Sequence, residues 1–183
     1  MIIDILKYFG KFPAKTAILD IFSRGRSDLP AYAVLKTYFE NAPVHSLIPE
    51  IEGFLFGENE DSVKTHVGKL HGIYLFVDYG DLSSSRNAKN SIEDDFQMAL
   101  TIAMKLPEAY DQVECAIASE ECLKHIITLI QIILDDQKEV SWLKELSNNY
   151  TIIPFDSKNF SSYGWTLQMN RKGADMLNIK NIE

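Results

Sequence analysis

Apolar residues recur at helical spacing through the first 57 residues, in short stretches broken by Pro and Gly. Ile2, Ile5, Leu6 and Phe9 form the first stripe, and Gly10 ends it. Pro13 opens a second helix with Ala14, Ala17, Ile18, Ile21 and Phe22 on one face. After the polar turn Ser23-Arg24-Gly25-Arg26-Ser27, Asp28 and Pro30 start a third, which Asn41 and Pro43 stop. Its inward residues are Ala31, Val34, Leu35, Tyr38 and Phe39. Residues 46–57 carry two signals: Ile48, Ile51 and Leu55 suit a helix, whereas Gly53-Phe54-Leu55-Phe56-Gly57 suits a short strand. Helices this short are marginal alone and need a surface to lie on.

The acidic stretch 57–61 leads into a helix with Asn59 as its N-cap and Val63, Val67 and Leu70 on its inward edge. The period then changes. Residues 72–79 are β-branched and aromatic, which predicts a strand with both sides apolar over most of its length. Such a strand is covered on both faces, by its own chain or by a neighbour. Residues 92–106 alternate: Phe96, Met98, Leu100, Ile102, Met104 and Leu106 on one side, Gln97, Ala99, Thr101, Ala103 and Lys105 on the other. This predicts a long strand whose small side lets a helix or a second subunit approach closely. Residues 109–136 read as a long helix, apolar nearly all round from Ile126 to Leu134 and therefore buried on more than one side. A short helix near Trp142 and two strands, 150–155 and 163–170, close the pattern, the strands forming an antiparallel pair.

The order predicts an α+β fold: a four-stranded antiparallel sheet (β-β-α-β-β) with one long buried helix and an N-terminal set of short helices. Residues 1–57 would pack as a helical segment on an α+β core of residues 58–183, in one structural domain. The 183 residues, 46% apolar and 24% charged, suffice to bury a core without disulfides.

Charge narrows the partners. There are 26 acids against 18 bases, a net charge of −8, and the arginines are only Arg24, Arg26, Arg86 and Arg171. With no run of cations, sequence-reading of nucleic acid and binding to an anionic membrane are disfavoured. Cys115 and Cys122 lie two helical turns apart, beyond disulfide reach, and suit a reducing compartment. Asp4 and Lys7 interrupt the first apolar run, which therefore does not read as a secretory signal, and the expected location is cytoplasmic.

The sequence holds no Walker A loop, dinucleotide glycine fingerprint, Gly-x-Ser-x-Gly elbow or His-Glu-x-x-His. No catalytic residue, cofactor-binding residue or metal ligand is assigned, and no cofactor is expected. His45, His66 and His71 are scattered, and Cys122 with His125 gives two ligands where a structural zinc wants four. Tyr74, Phe76, Phe155, Tyr163 and Trp165 suit core, with an apolar ligand pocket between sheet and long helix as the alternative. The segment Gly80 to Ser91 is polar, serine-rich and more than twice the usual hairpin loop, and it reads either as a solvated loop or, the reading favoured here, as a projecting arm that orders on a partner. Tyr74, Phe76, Asp81, Ser83, Ser84, Ser85, Arg86 and Lys89 are the candidate partner-binding residues. Asp78, Asp81, Glu93, Asp94 and Asp95 gather at the arm's base, where like charges facing across a hairpin need compensation by a local cation, a metal or a partner's basic patch.

This layout resembles the phage tail-terminator or tail-completion family over about residues 72–171. The residues that carry it are Tyr74 to Tyr79, Phe96 through Met104, Val113 to Leu134, Ile152 to Phe155 and Tyr163 to Leu167. The helices before residue 57 are additional to it. The resemblance implies a non-enzymatic ring subunit whose sheets and hairpin arms pack on neighbours, found in the virion or particle, with an acidic lumen that tolerates passing DNA and no catalytic residue. The expected function is thus a self-associating structural or assembly protein. The alternatives are a module binding a small apolar ligand or partner peptide, and a metal-dependent enzyme using the acidic cluster.

Overall fold

The computed structural model describes residues 1–23, 27–67, 70–86, 92–107, 111–147, 149–157 and 160–173. Helices α1 (Ile2–Phe9), α2 (Lys15–Ser23) and α3 (Pro30–Glu40) come first. Strand β1 (Ile51–Gly57), helix α4 (Glu60–Val67), and strands β2 (Ile73–Asp78), β3 (Leu82–Arg86) and β4 (Ile92–Lys105) follow. Helix α5 (Gln112–Asp136), a short 3-10 helix (Ser141–Glu145) and strands β5 (Thr151–Ser157) and β6 (Ser162–Gly173) complete the order.

Helices and sheet together make the fold α+β, but the expected four-stranded antiparallel sheet is corrected. The sheet has six strands in the order β1-β2-β4-β6-β5, with β3 also paired to β4, and it is mixed. The first extra strand is β1, which runs parallel to β2 and resolves the ambiguity of residues 46–57 as strand from Ile51 onward. The connection through α4 makes the parallel pairing possible, because parallel neighbours need a crossover. The second extra strand is β3, which lies in the segment expected to be loop. All other pairs are antiparallel, including β2 with β4 and β5 with β6.

Alternation divides the sheet into two faces. On the first face Ile73, Leu75, Val77, Met98, Leu100, Ile102 and Leu167 are buried in one cluster with residues of α1, α2 and α5. Helix α5 lies across β4 and β6, and α2 lies against β1. Asp111 caps α5, its Oδ1 accepting from the backbone N–H groups of Val113 and Glu114, while Glu114 accepts from the Asp111 N–H. On the second face α4 covers β1, and Leu55, Val63, Val67, Tyr74, Phe76, Ala103 and Phe160 form a smaller cluster. Asn59 Oδ1 accepts from the Ser62 N–H at 2.9 Å, as the cap reading expects. The central strand is therefore wrapped by its own chain, with the N-terminal third supplying much of the cover.

Two helices are less buried than their periodicity predicts. In α3 only Phe39 is buried, while Val34 and Tyr38 face out. In α5 the buried residues fall on one face, and Ile127 and Leu134 are exposed. An apolar run makes both sides of a helix greasy, but a single sheet can cover only one. Among the described residues no helix is long and apolar enough to cross a membrane.

Candidate functional site

Strands β2 and β3 lie on the same edge of β4 and form one interrupted strand. Pairing stops at Asp78 opposite Ala99 and resumes at Leu82 opposite Phe96. Residues 79–81 thus stand against residues 97–98, one extra residue on the outer strand, which is a β-bulge. Gly80 sits at its centre with φ of +50°. Asp78 Oδ1 accepts from the Gly80 N–H at 2.8 Å, and the Gln97 N–H donates to the Asp81 carbonyl at 2.9 Å. Bulges redirect the side chains beyond them. Here the bulge turns Leu82 to the first face and Ser83 and Ser85 to the second.

Beyond the bulge β3, β4 and the end of β6 continue as a three-stranded ribbon, so residues 82–86 of the expected loop are strand, and residues 87–91 lie outside the described residues. The serines have a structural reason. Ser83, Ser84 and Ser85 stand opposite Asp95, Asp94 and Glu93, so a small neutral residue faces each acid. The expected confrontation of like charges across the hairpin does not occur, because the acids lie on one strand and the serines on the other. Asp95 has Lys172 of β6 at 3.8 Å. Asp94 points to the opposite face and is 0% exposed. Asp78 and Asp81 remain together at the bulge, away from the other three. Among the described residues no three His, Cys, Asp or Glu side chains group to hold a metal ion.

Among the described residues the second face is only half covered. Tyr74, Phe76 and Ala103 lie under α4 and Phe160. The buried Thr101 and Thr166 hydroxyls, 2.7 Å apart, mark the boundary. Beyond them lies an open cleft of about 380 Å³, lined by Asp78, Gly80 and Asp81 at one end. Gln97, Ala99, Gln168 and Asn170 form its floor, and Asn149 and Thr151 its far end. The described lining residues include no Lys, Arg or His. The ordinary carboxylate value of Asp78 is raised, first by burial and then by the nearby Asp81 and Glu60 charges, while the Gly80 N–H opposes the shift.

That shift has a sign that can be tested. A carboxyl whose folded-state pKa is raised favours the protonated native state, so its contribution to stability is present in acid and lost as pH rises through the raised value. Asp78→Asn keeps the acceptor for Gly80 and removes the charge. It is expected to raise Tm at neutral pH by about 1–2 °C, the scale of a half-exposed charge after solvent screening. The gain should vanish below the ordinary value of 3.8. Thermal melts of both proteins across this range check it; a lower Tm for the variant at neutral pH would refute the assignment.

The expected partner-binding residues separate. Tyr74 and Phe76, 0% and 3% exposed, belong to the core and offer no contact surface, because β1 and α4 cover them. Asp81 is exposed at the cleft, and Ser83, Ser84 and Ser85 are exposed on β3. Arg86 ends β3, and Lys89 lies outside the described residues. Cys122 is buried and its thiol is pushed up to about 12, chiefly by burial, which leaves it inert beside His125. The aromatics named for the alternative pocket do not gather between sheet and α5, since Tyr74 and Phe76 belong to the second-face cluster. An apolar hollow of about 230 Å³ lies instead beside β1, between Ile21 of α2 and Val63 of α4.

Sequence reasoning placed Gln97 and Ala99 on the small side of their strand but did not single them out as a site. It missed Asn149, Thr151, Gln168 and Asn170 entirely. The available signal was the polar alternation Thr166, Gln168, Asn170 beside the small alternation of β4. No protein-family model matches this chain, and neither does any curated protein or solved structure.

Proposed function

We propose that this chain is a non-enzymatic assembly protein that works by docking protein surfaces, including further copies of itself. The observation that carries the reading is the ribbon, whose outer strand β3 pairs with β4 on one side and with no strand on the other among the described residues. An unpaired edge is a template for another strand. Leu82 and Ile92, on the ribbon's first face, are 38% and 47% exposed and give that pairing an apolar side. The open half of the second face adds a concave polar surface at the ribbon's base. The layout resemblance to tail-completion subunits supports the same reading, since ring subunits join through sheets and arms of this kind. The N-terminal helices already cover the central strand, so association here rests on the ribbon edge and not on unsatisfied core surface.

The test is sedimentation velocity across a wide concentration range. The unaltered chain should associate. Leu82→Glu with Ile92→Lys should leave it monomeric, while the folding stability changes by no more than about 0.5 kcal/mol per site, the scale of surface changes. A chain that is monomeric at every concentration, or association unaffected by the pair of substitutions, would remove self-association through the ribbon.

A further inference from the structure

We infer that the cleft at the base of the ribbon receives an arginine side chain carried on an extended segment of a protein partner. The inference rests on the docking reading and names the chemistry by which this surface selects what it docks. Asp78 and Asp81 stand together at one end of the cleft, and neither forms an ion pair with a described residue. One oxygen of Asp78 is engaged by the Gly80 N–H. The other oxygen and the Asp81 carboxylate remain as acceptors. With no cationic side chain among the described lining residues, an anionic ligand would have the two carboxylates' repulsion to overcome and no opposite charge to offset it.

The rest of the lining sets the class of cation. Gln97, Gln168, Asn170 and Asn149 present side-chain amides, each both donor and acceptor. A guanidinium carries five N–H donors in a plane and matches a carboxylate pair flanked by amide oxygens. An ammonium offers three donors around a point charge and leaves more of these acceptors unmatched. A divalent cation needs about six oxygen ligands, and the two carboxylates make a poor share of that set. The cleft is also too long for a lone side chain. From Asp78 on β2 across β4 and β6 to Thr151 on β5 is three strand spacings, roughly 14 Å, the length of about four extended residues. The amides along the floor can bond the main chain of such a segment while the acids take its arginine. The half-buried Asp78, held among like charges, gains most from an incoming cation.

The probe is the capped tripeptide acetyl-Gly-Arg-Gly-amide, titrated into the full chain labelled with 15N. The neutral citrulline isostere and the lysine peptide are run beside it, and so is MgCl2 or CaCl2 alone. Saturable shifts should appear at Ala99, Gln168 and Asn170 and at the side-chain amides of the cleft. The citrulline peptide should bind at least about tenfold more weakly, equivalent to about 1.4 kcal/mol, and the lysine peptide should fall between. Asp78→Asn and Asp81→Asn should each lose binding by a similar factor while their remaining spectra stay native. Equal binding of arginine and citrulline, matching shifts from the metal salts alone, or no saturable shift at these residues would overturn the inference. Sedimentation of the two asparagine variants separates this result from the docking reading. If they still associate and no arginine peptide binds, docking stands and the arginine site falls. If the peptide binds and the chain never associates with itself, the arginine site stands and self-association falls.

Discussion

Phe9→Ala is expected to remove about 3–5 kcal/mol of stability, the cost of deleting a fully buried aromatic ring. Against the 5–15 kcal/mol typical of a domain this is a large share. Phe9 is 0% exposed although it lies in an eight-residue helix near the start of the chain. Its ring meets Tyr8 edge-on at 5.1 Å, stacks near Phe12 at 6.0 Å and lies 6.3 Å from Trp142. Tyr8 in turn donates from its hydroxyl to Asp136 Oδ2 at 2.9 Å, and Lys11 approaches the same carboxylate at 3.3 Å. The first helix is thus tied to the end of α5 and to the 3-10 helix, and its rings continue the first-face core. Urea denaturation checks the value, with Val34→Ala on the exposed side of α3 as a control expected to stay within ~0.5 kcal/mol. A loss for Phe9→Ala below about 1 kcal/mol would mean that the N-terminal helices are an ornament on the sheet. The cover on the first face of β2 would then have to come from somewhere other than α1.

That contrast locates what was legible in the sequence. Period and punctuation identified all five α-helices and four of the six strands, because each element's own residues specify it. Asn59, Pro30 and Gly10 mark their ends through local chemistry that needs no tertiary context. The two missed strands fail for different reasons. In β1 the short apolar run Phe54-Leu55-Phe56 fits either period, and only the neighbouring edge of β2 decides it. In β3 three serines carry no hydrophobic signal, and the strand exists because β4 extends past Asp78 and supplies an edge to pair with. Covering of a doubly apolar strand was read correctly as a need, but sequence does not say whose atoms meet it. Here α4 and α1 do. The cleft was invisible for a related reason. Gln97 and Gln168 are ordinary polar positions on separate strands, and the β4–β6 register, with no second helix over that half of the face among the described residues, brings them into one open floor.

Gly80→Ala is expected to cost about 2–5 kcal/mol, because a left-handed backbone strains any residue with a Cβ and the added atom also overpacks the bulge. A Cβ built at Gly80, where φ is +50°, falls 2.2 Å from the Gln97 carbonyl oxygen and 3.0 Å from its carbon. Both atoms are backbone of β4, so neither can step aside as a side-chain tip can. Gly72 provides the comparison. Its φ is +64°, and a Cβ there meets only the Glu52 carboxylate, at 2.7 Å. Gly72→Ala therefore carries the conformational strain with little steric cost, about 1–2 kcal/mol. The excess at Gly80 measures how firmly the bulge is held against β4. The structural consequence should be specific as well. Relieving the clash requires β3 to leave β4 or to slip by one residue, and a one-residue slip exchanges the two faces of a strand. Leu82 would then turn to the second face and the serines would lose their places opposite the acids. Denaturation curves for the two alanine variants give the energies, and amide exchange at Ser83 to Ser85 reports whether β3 remains paired. Equal costs at the two glycines, with β3 still protected, would show that the bulge yields freely. A yielding bulge could neither set the aim of the ribbon nor hold Asp78 and Asp81 together at the mouth of the cleft.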